Sequence, residues 1–125
     1  MSLGAIIKAK RLKLGLTGPK ASQLYGVHPT ILSKLEHDKE VPEKSRWLLT
    51  GALQLPFNGK LFSEKVREKR ESLGTTIAGL SKITKVSISV LYFLEGNKKI
   101  PSMVLCYKIA KVLKLNLEDF IDTAS

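Results

Sequence analysis

The chain carries one segment twice. Glu95 stands 59 residues after Glu36. The same offset lays Lys10-Arg11 on Lys69-Arg70, Gly15 on Gly74, Thr17 on Thr76, Lys39 on Lys98 and Pro42 on Pro101. Self-similarity at a fixed offset means one structural unit used more than once. Two copies account for nearly all of the 125 residues, which makes a tandem pair and not a solenoid. A unit of about 60 residues buries only about 60% of its unfolded surface and is marginal alone. The short boundary Leu55-Pro56-Phe57-Asn58-Gly59-Lys60 therefore predicts packed halves and not beads on a flexible string.

Within a copy, apolar residues recur at helical spacing. Leu3 to Leu14 reads as a helix with Leu3, Ile6, Ile7, the stem of Lys10, Arg11 and Leu14 on one side, and Gly15 follows it as a terminator. Thr17 caps a second helix whose Pro19 is tolerated in the first turn. That helix is expected to carry Ala21 and Leu24 inward and to end at Gly26. Gly26-Val27 is a tight corner, and Val27, Ile31, Leu32 and Leu35 then form one apolar stripe. Glu43 to Leu53 reads as a fourth helix with Trp47, Leu48 and Leu53 as core. The second copy repeats this plan, with a helix over Leu61 to Leu73, Thr76 capping the next with Leu80 and Ile83 inward, a third over Ser87 to Glu95, and Ser102 capping one to Leu113. Asn116 to Phe120 reads as a short capped terminal helix. The expected fold is all-α with about nine helices.

The third helix of the first copy has the build of a DNA-reading element. Thr30 and Ser33 lie opposite the apolar stripe, with Pro29 and Lys34 on its flanks, so the exposed side carries nothing bulky or acidic. Such a helix fits a major groove about 12 Å wide. The charge agrees: 21 Lys and Arg oppose 11 Asp and Glu, for a net +10. It is shared evenly, with 9 basic against 4 acidic residues up to Asn58 and 12 against 7 beyond it. That field attracts polyanions, chiefly nucleic acid. The excess of Lys over Arg favours point-charge contacts with phosphate.

Other chemistries find little footing. His28 and His37 are too far apart for a metal pair on one helix face, and no Gly-rich phosphate loop or paired acidic motif occurs. Cys106 stands alone, which rules out an internal disulfide and reads as an inert buried thiol. No run of 18 or more apolar residues is present and no apolar signal segment opens the chain. The expectation is a cytoplasmic, nucleoid-associated protein that is not an enzyme and needs no cofactor or metal.

The order Arg11, Gly15-Leu16-Thr17, Gly26-Val27, Leu32, Leu35-Glu36, Lys39 and Pro42, and again Arg70, Gly74, Thr76, Leu80-Ser81, Val86-Ser87, Leu91, Leu94-Glu95, Lys98 and Pro101-Ser102, resembles the helix-turn-helix pattern of the Cro and phage-repressor (XRE) family. The resemblance implies two tandem lambda-repressor-like helix-turn-helix domains, over residues 1–56 and 62–125 with a linker at 57–61. It implies structural ion pairs, Arg11 with Glu36 and Arg70 with Glu95. It places DNA contacts at Thr17, Gly18, Lys20, His28, Pro29, Thr30, Ser33, Lys34 and Lys39, and in the second copy at Thr76, Ser87, Ser89 and Lys98. The family often has Gln at the start of helix 2, where this chain has Gly18 and Ile77. A backbone N–H at Gly18 still suits phosphate.

The second copy departs further. Ile88, Tyr92 and Phe93 occupy the side of its third helix that should face water, and exposed apolar groups of this size call for a partner. Packing on the first copy or on a twofold mate, contact with thymine methyls, and docking of another protein all remain open. The expected function is a sequence-specific double-stranded DNA-binding transcriptional regulator, a repressor, reading the major groove with the third helix of the first copy. The alternative is a protein-interaction module, such as an antitoxin, anti-repressor or phage-encoded inhibitor, using Ile88, Tyr92 and Phe93. The expected partners are duplex DNA and a homodimer mate held through the second copy, with no membrane.

Overall fold

The computed structural model describes residues 2–122; residue 1 and residues 123–125, which fall within the expected domain spans, lie outside the described residues. Helices α1 (Leu3–Lys13), α2 (Gly18–Tyr25), α3 (Pro29–Glu36) and α4 (Glu43–Ala52) precede α5 (Gly59–Ser72), α6 (Ile77–Thr84), α7 (Ile88–Glu95), α8 (Met103–Leu113) and a 3-10 helix (Leu117–Phe120). The fold is all-α. Among the described residues the sole strand-like feature is an isolated bridge between Phe57 and Ile121. The chain divides into two compact units, one reaching Pro56 and including Asp122, the other Phe57–Ile121.

Side-chain caps explain why the helices begin where they do. Thr17 accepts a hydrogen bond from the Lys20 N–H at 3.3 Å, and Thr76 accepts one from Gly79 at 3.0 Å. Ser102 and Asn116 do the same for α8 and the 3-10 helix. Each cap satisfies a donor that the helix itself leaves without an acceptor.

In the first unit, α3 packs against both α1 and α2. Ile7, Leu32, Leu35, Trp47 and Leu49 are buried in this unit. Gly4 allows α1 to approach the end of α3, since a Cβ would run into the Leu35 carbonyl and the Asp38 carboxylate. That carboxylate accepts from Gly4 N at 3.1 Å and from Ser2 Oγ at 2.7 Å.

In the second unit, α5 and α6 each pack against α7 and α8, and the 3-10 helix closes on α5 and α8. Phe62 is fully buried. Its ring meets Phe120 at a centroid distance of 5.2 Å and Phe57 at 5.5 Å. Burying each large apolar side chain contributes roughly 1.5–3 kcal/mol. The half-buried Phe57 packs on this unit's core, and Asn58 caps its first helix. Asn58 accepts from Leu61 N and its own N–H donates to the Phe120 carbonyl at 2.7 Å. The segment 57–61, expected as a linker, is instead the start of the second unit, with α5 already begun at Gly59.

Several residues expected inside are outside. Leu24 is 65% exposed and Ile83 60%. The short helix α2 buries Ala21 and Ser22, and α6 buries Leu80 and Thr84. Each inward stripe is narrow, and the next apolar residue falls about 100° off it. Leu48 and Leu14 are exposed for related reasons. Leu48 is bracketed by inward Trp47 and Leu49, and Leu14 stands past the last turn of α1.

Candidate nucleic-acid interface

The best-anchored part of each unit is the ion pair beneath its third helix. Arg11 Nε donates to Glu36 at 2.7 Å and its terminal nitrogens donate to Glu36 at 2.9 Å and to the Leu16 carbonyl at 2.8 Å. At the 59-residue offset, Arg70 binds Glu95 at 2.7 and 2.8 Å and the Thr75 carbonyl at 2.9 Å. Both pairs are mostly buried. The Glu36 hydrogen bonds hold the Arg11 guanidinium above its ordinary pKa against the opposing effect of burial, and Glu95 does the same for Arg70. Each fork fixes the third helix against the first and against the turn before the second. The two arginines are committed to structure.

On that support α3 turns one side outward. Thr30, Ser33 and Lys34 are exposed while Leu32 and Leu35 are buried. The helix starts at Pro29, and His28 caps it, Nδ1 accepting from Thr30 N at 3.1 Å. A lone pair on Nδ1 leaves the proton of the neutral ring on Nε2, an outward donor. Gly26, at φ 68°, makes the corner from α2. Thr17, Lys20 and Lys39 are exposed and Gly18 is half-buried. A groove beside α3 is lined by Gly18, Pro29 and Ser33 together with Lys8 and His37. Those last two were missed by sequence reasoning. Lys8 lies one turn before Arg11 on the same side of α1, a spacing that could have flagged it.

The second unit repeats the groove with different contents. Arg67, Arg70, Ile77, Tyr92, Glu95, Gly96 and Lys98 line it, and the first six match groove residues of the first unit at the same offset. Thr76, Ser87, Ser89 and Lys98 are exposed, although Thr76 and Ser87 are engaged as caps. Ile88 is 54% exposed, Tyr92 64% and Phe93 44%. Tyr92 and Phe93 contact edge-to-face at 6.3 Å. Cys106 is buried, and its burial pushes the thiol pKa up to about 12. That thiol is no nucleophile at neutral pH. Among the described residues, no group of three or more His, Cys, Asp or Glu could hold a metal ion, and no helix is long and apolar enough to cross a membrane.

In the second unit α6 and α7, each capped and joined by a tight corner, have the helix-turn-helix arrangement. Comparison with known proteins agrees. A helix-turn-helix family model matches residues 66–120. An uncharacterised HTH-type transcriptional regulator of Archaeoglobus fulgidus is 40% identical over 55 residues, which is 44% of this chain and 79% of that protein. No solved structure gives a significant match. The chain belongs to the helix-turn-helix family.

Proposed function

We propose that this protein is a double-stranded DNA-binding transcriptional regulator in which the first unit is a second helix-turn-helix domain and supplies the reading helix. The observation that carries this reading is the outward side of α3, where Thr30, Ser33 and Lys34 are exposed above a side fixed by Arg11 and Glu36. Thr30 suits a base edge or a thymine methyl, and Lys34 suits guanine O6 and N7. Lys20 and Lys39 serve phosphates, and the Gly18 N–H and the exposed His28 ring add further donors. Lys8 and His37 extend the same contact surface along the groove. The net +10 charge supplies the long-range attraction. A module seated in the groove of an operator obstructs other proteins there, which favours repression.

A titration of bulk duplex DNA over a salt series tests the reading. Binding that neutralises several phosphates should weaken steeply as salt rises, with a log–log slope of about −0.9 per phosphate contacted. A flat salt response would contradict it.

A further inference from the structure

The second unit presents a different surface at the same place in its fold. Position for position, Ser33 of α3 is replaced by Tyr92 in α7 and Lys34 by Phe93. The groups best suited to read base edges are gone from these two positions, and two rings stand in their place. Grooves open on both sides of the ring pair. Tyr92 lines one with Arg67 and Lys98, and Phe93 lines the other with Lys99 and Pro101. Arg67 Nε is engaged by Glu71 at 3.0 Å, in an exposed pair. Lys98 and Lys99 make no ion pair among the described residues.

An occupant must therefore offer apolar surface to the rings and negative charge to the cations beside them. A second copy of the chain is poorly suited. A twofold contact lays the patch on itself, which would bring two sets of Lys98 and Lys99 into one interface at a cost from like-charge repulsion. A nucleotide strand meets both demands, because every base has a π-face and every linkage a phosphate. Intact duplex meets only one. Its bases are already stacked, about 3.4 Å apart and parallel, whereas the Tyr92 and Phe93 rings are inclined at 73°. Two neighbouring bases can lie on both rings only if they are unstacked from each other.

We propose that α7 is a stacking platform for unpaired bases of single-stranded DNA, with Tyr92 and Phe93 each taking a base and Lys98, Lys99 and Arg67 taking phosphates. The choice of DNA over RNA rests on the duplex reading assigned to α3; the platform itself does not. The full chain is titrated with a fluorescein-labelled oligothymidine strand of about a dozen nucleotides, read by anisotropy at fixed salt. Tyr92→Ala and Phe93→Ala should each weaken binding roughly 5- to 150-fold, the range for loss of one base–aromatic stack. Tyr92→Phe should bind as wild type does, and so should Ile83→Ala, which removes an exposed apolar group elsewhere on the unit. The same variants are titrated with bulk duplex DNA, which they should bind as wild type does, so failure of the platform and failure of the α3 reading are told apart. The proposal is overturned if Tyr92→Ala binds the strand like wild type or if an RNA strand of the same length binds more tightly. It is also overturned if the wild-type chain sediments as a dimer that Phe93→Ala dissociates.

Discussion

The two units hold the same ion pair in nearly the same geometry and then show opposite surfaces on the helix it supports. Arg11–Glu36 and Arg70–Glu95 differ by no more than 0.1 Å in any matched bond. Yet α3 shows Thr30, Ser33 and Lys34 while α7 shows Ile88, Tyr92 and Phe93. The lesson is that the scaffold and the surface it presents are separable. Buried positions that fix the helix tolerate little change, because each buried charge depends on its partner. Outward positions bear no such constraint and are free to take up different ligands.

The sharpest way to break this comparison is to remove the shared element. Glu36→Ala and Glu95→Ala should each destabilise the protein by about 3–5 kcal/mol, since an unpaired buried guanidinium is left behind. Urea denaturation would check this, read with separate probes for the two units because a single transition is not assured. A loss below about 1 kcal/mol in either variant would show that its pair behaves like an exposed one and that the common scaffold is not common in energy.

A smaller effect separates the two corners. Gly26 at φ 68° and Lys85 at φ 60° occupy equivalent turns, but only glycine takes that conformation without strain. Lys85→Gly should stabilise the second unit by roughly 0.5–1 kcal/mol, and Gly26→Ala should destabilise the first by about 1 kcal/mol. Thermal melts would check both. A destabilised Lys85→Gly variant would mean that the lysine side chain makes a compensating contact.

Much of this was legible in the chain because it is local. Thr17, Thr76, Ser102 and Asn116 each cap the helix that follows, as their types and places predict. The terminators Gly15, Gly26 and Gly74 all have positive φ. The ion pairs were accessible only through the family resemblance, since their partners are 25 residues apart and nothing local links them. The cluster of Phe57, Phe62 and Phe120 escaped for the same reason, and Phe57 was read as linker because its partner in the 3-10 helix is distant in sequence. Leu24 and Ile83 misled because periodicity marks an apolar side without saying how wide it is. In the groove beside α3, Lys8 and His37 were missed because they reach it from α1 and from the residue after α3.

The central claim is that α3 reads bases through the side carrying Lys34. Selection of bound duplexes from a random pool, run in parallel with wild type and Lys34→Ala, tests it directly. The account predicts a defined motif for the wild-type chain and, for the variant, loss of preference at one position, where a good contact is worth about 1–3 kcal/mol. Recovery of the same motif with undiminished preference at every position would contradict it.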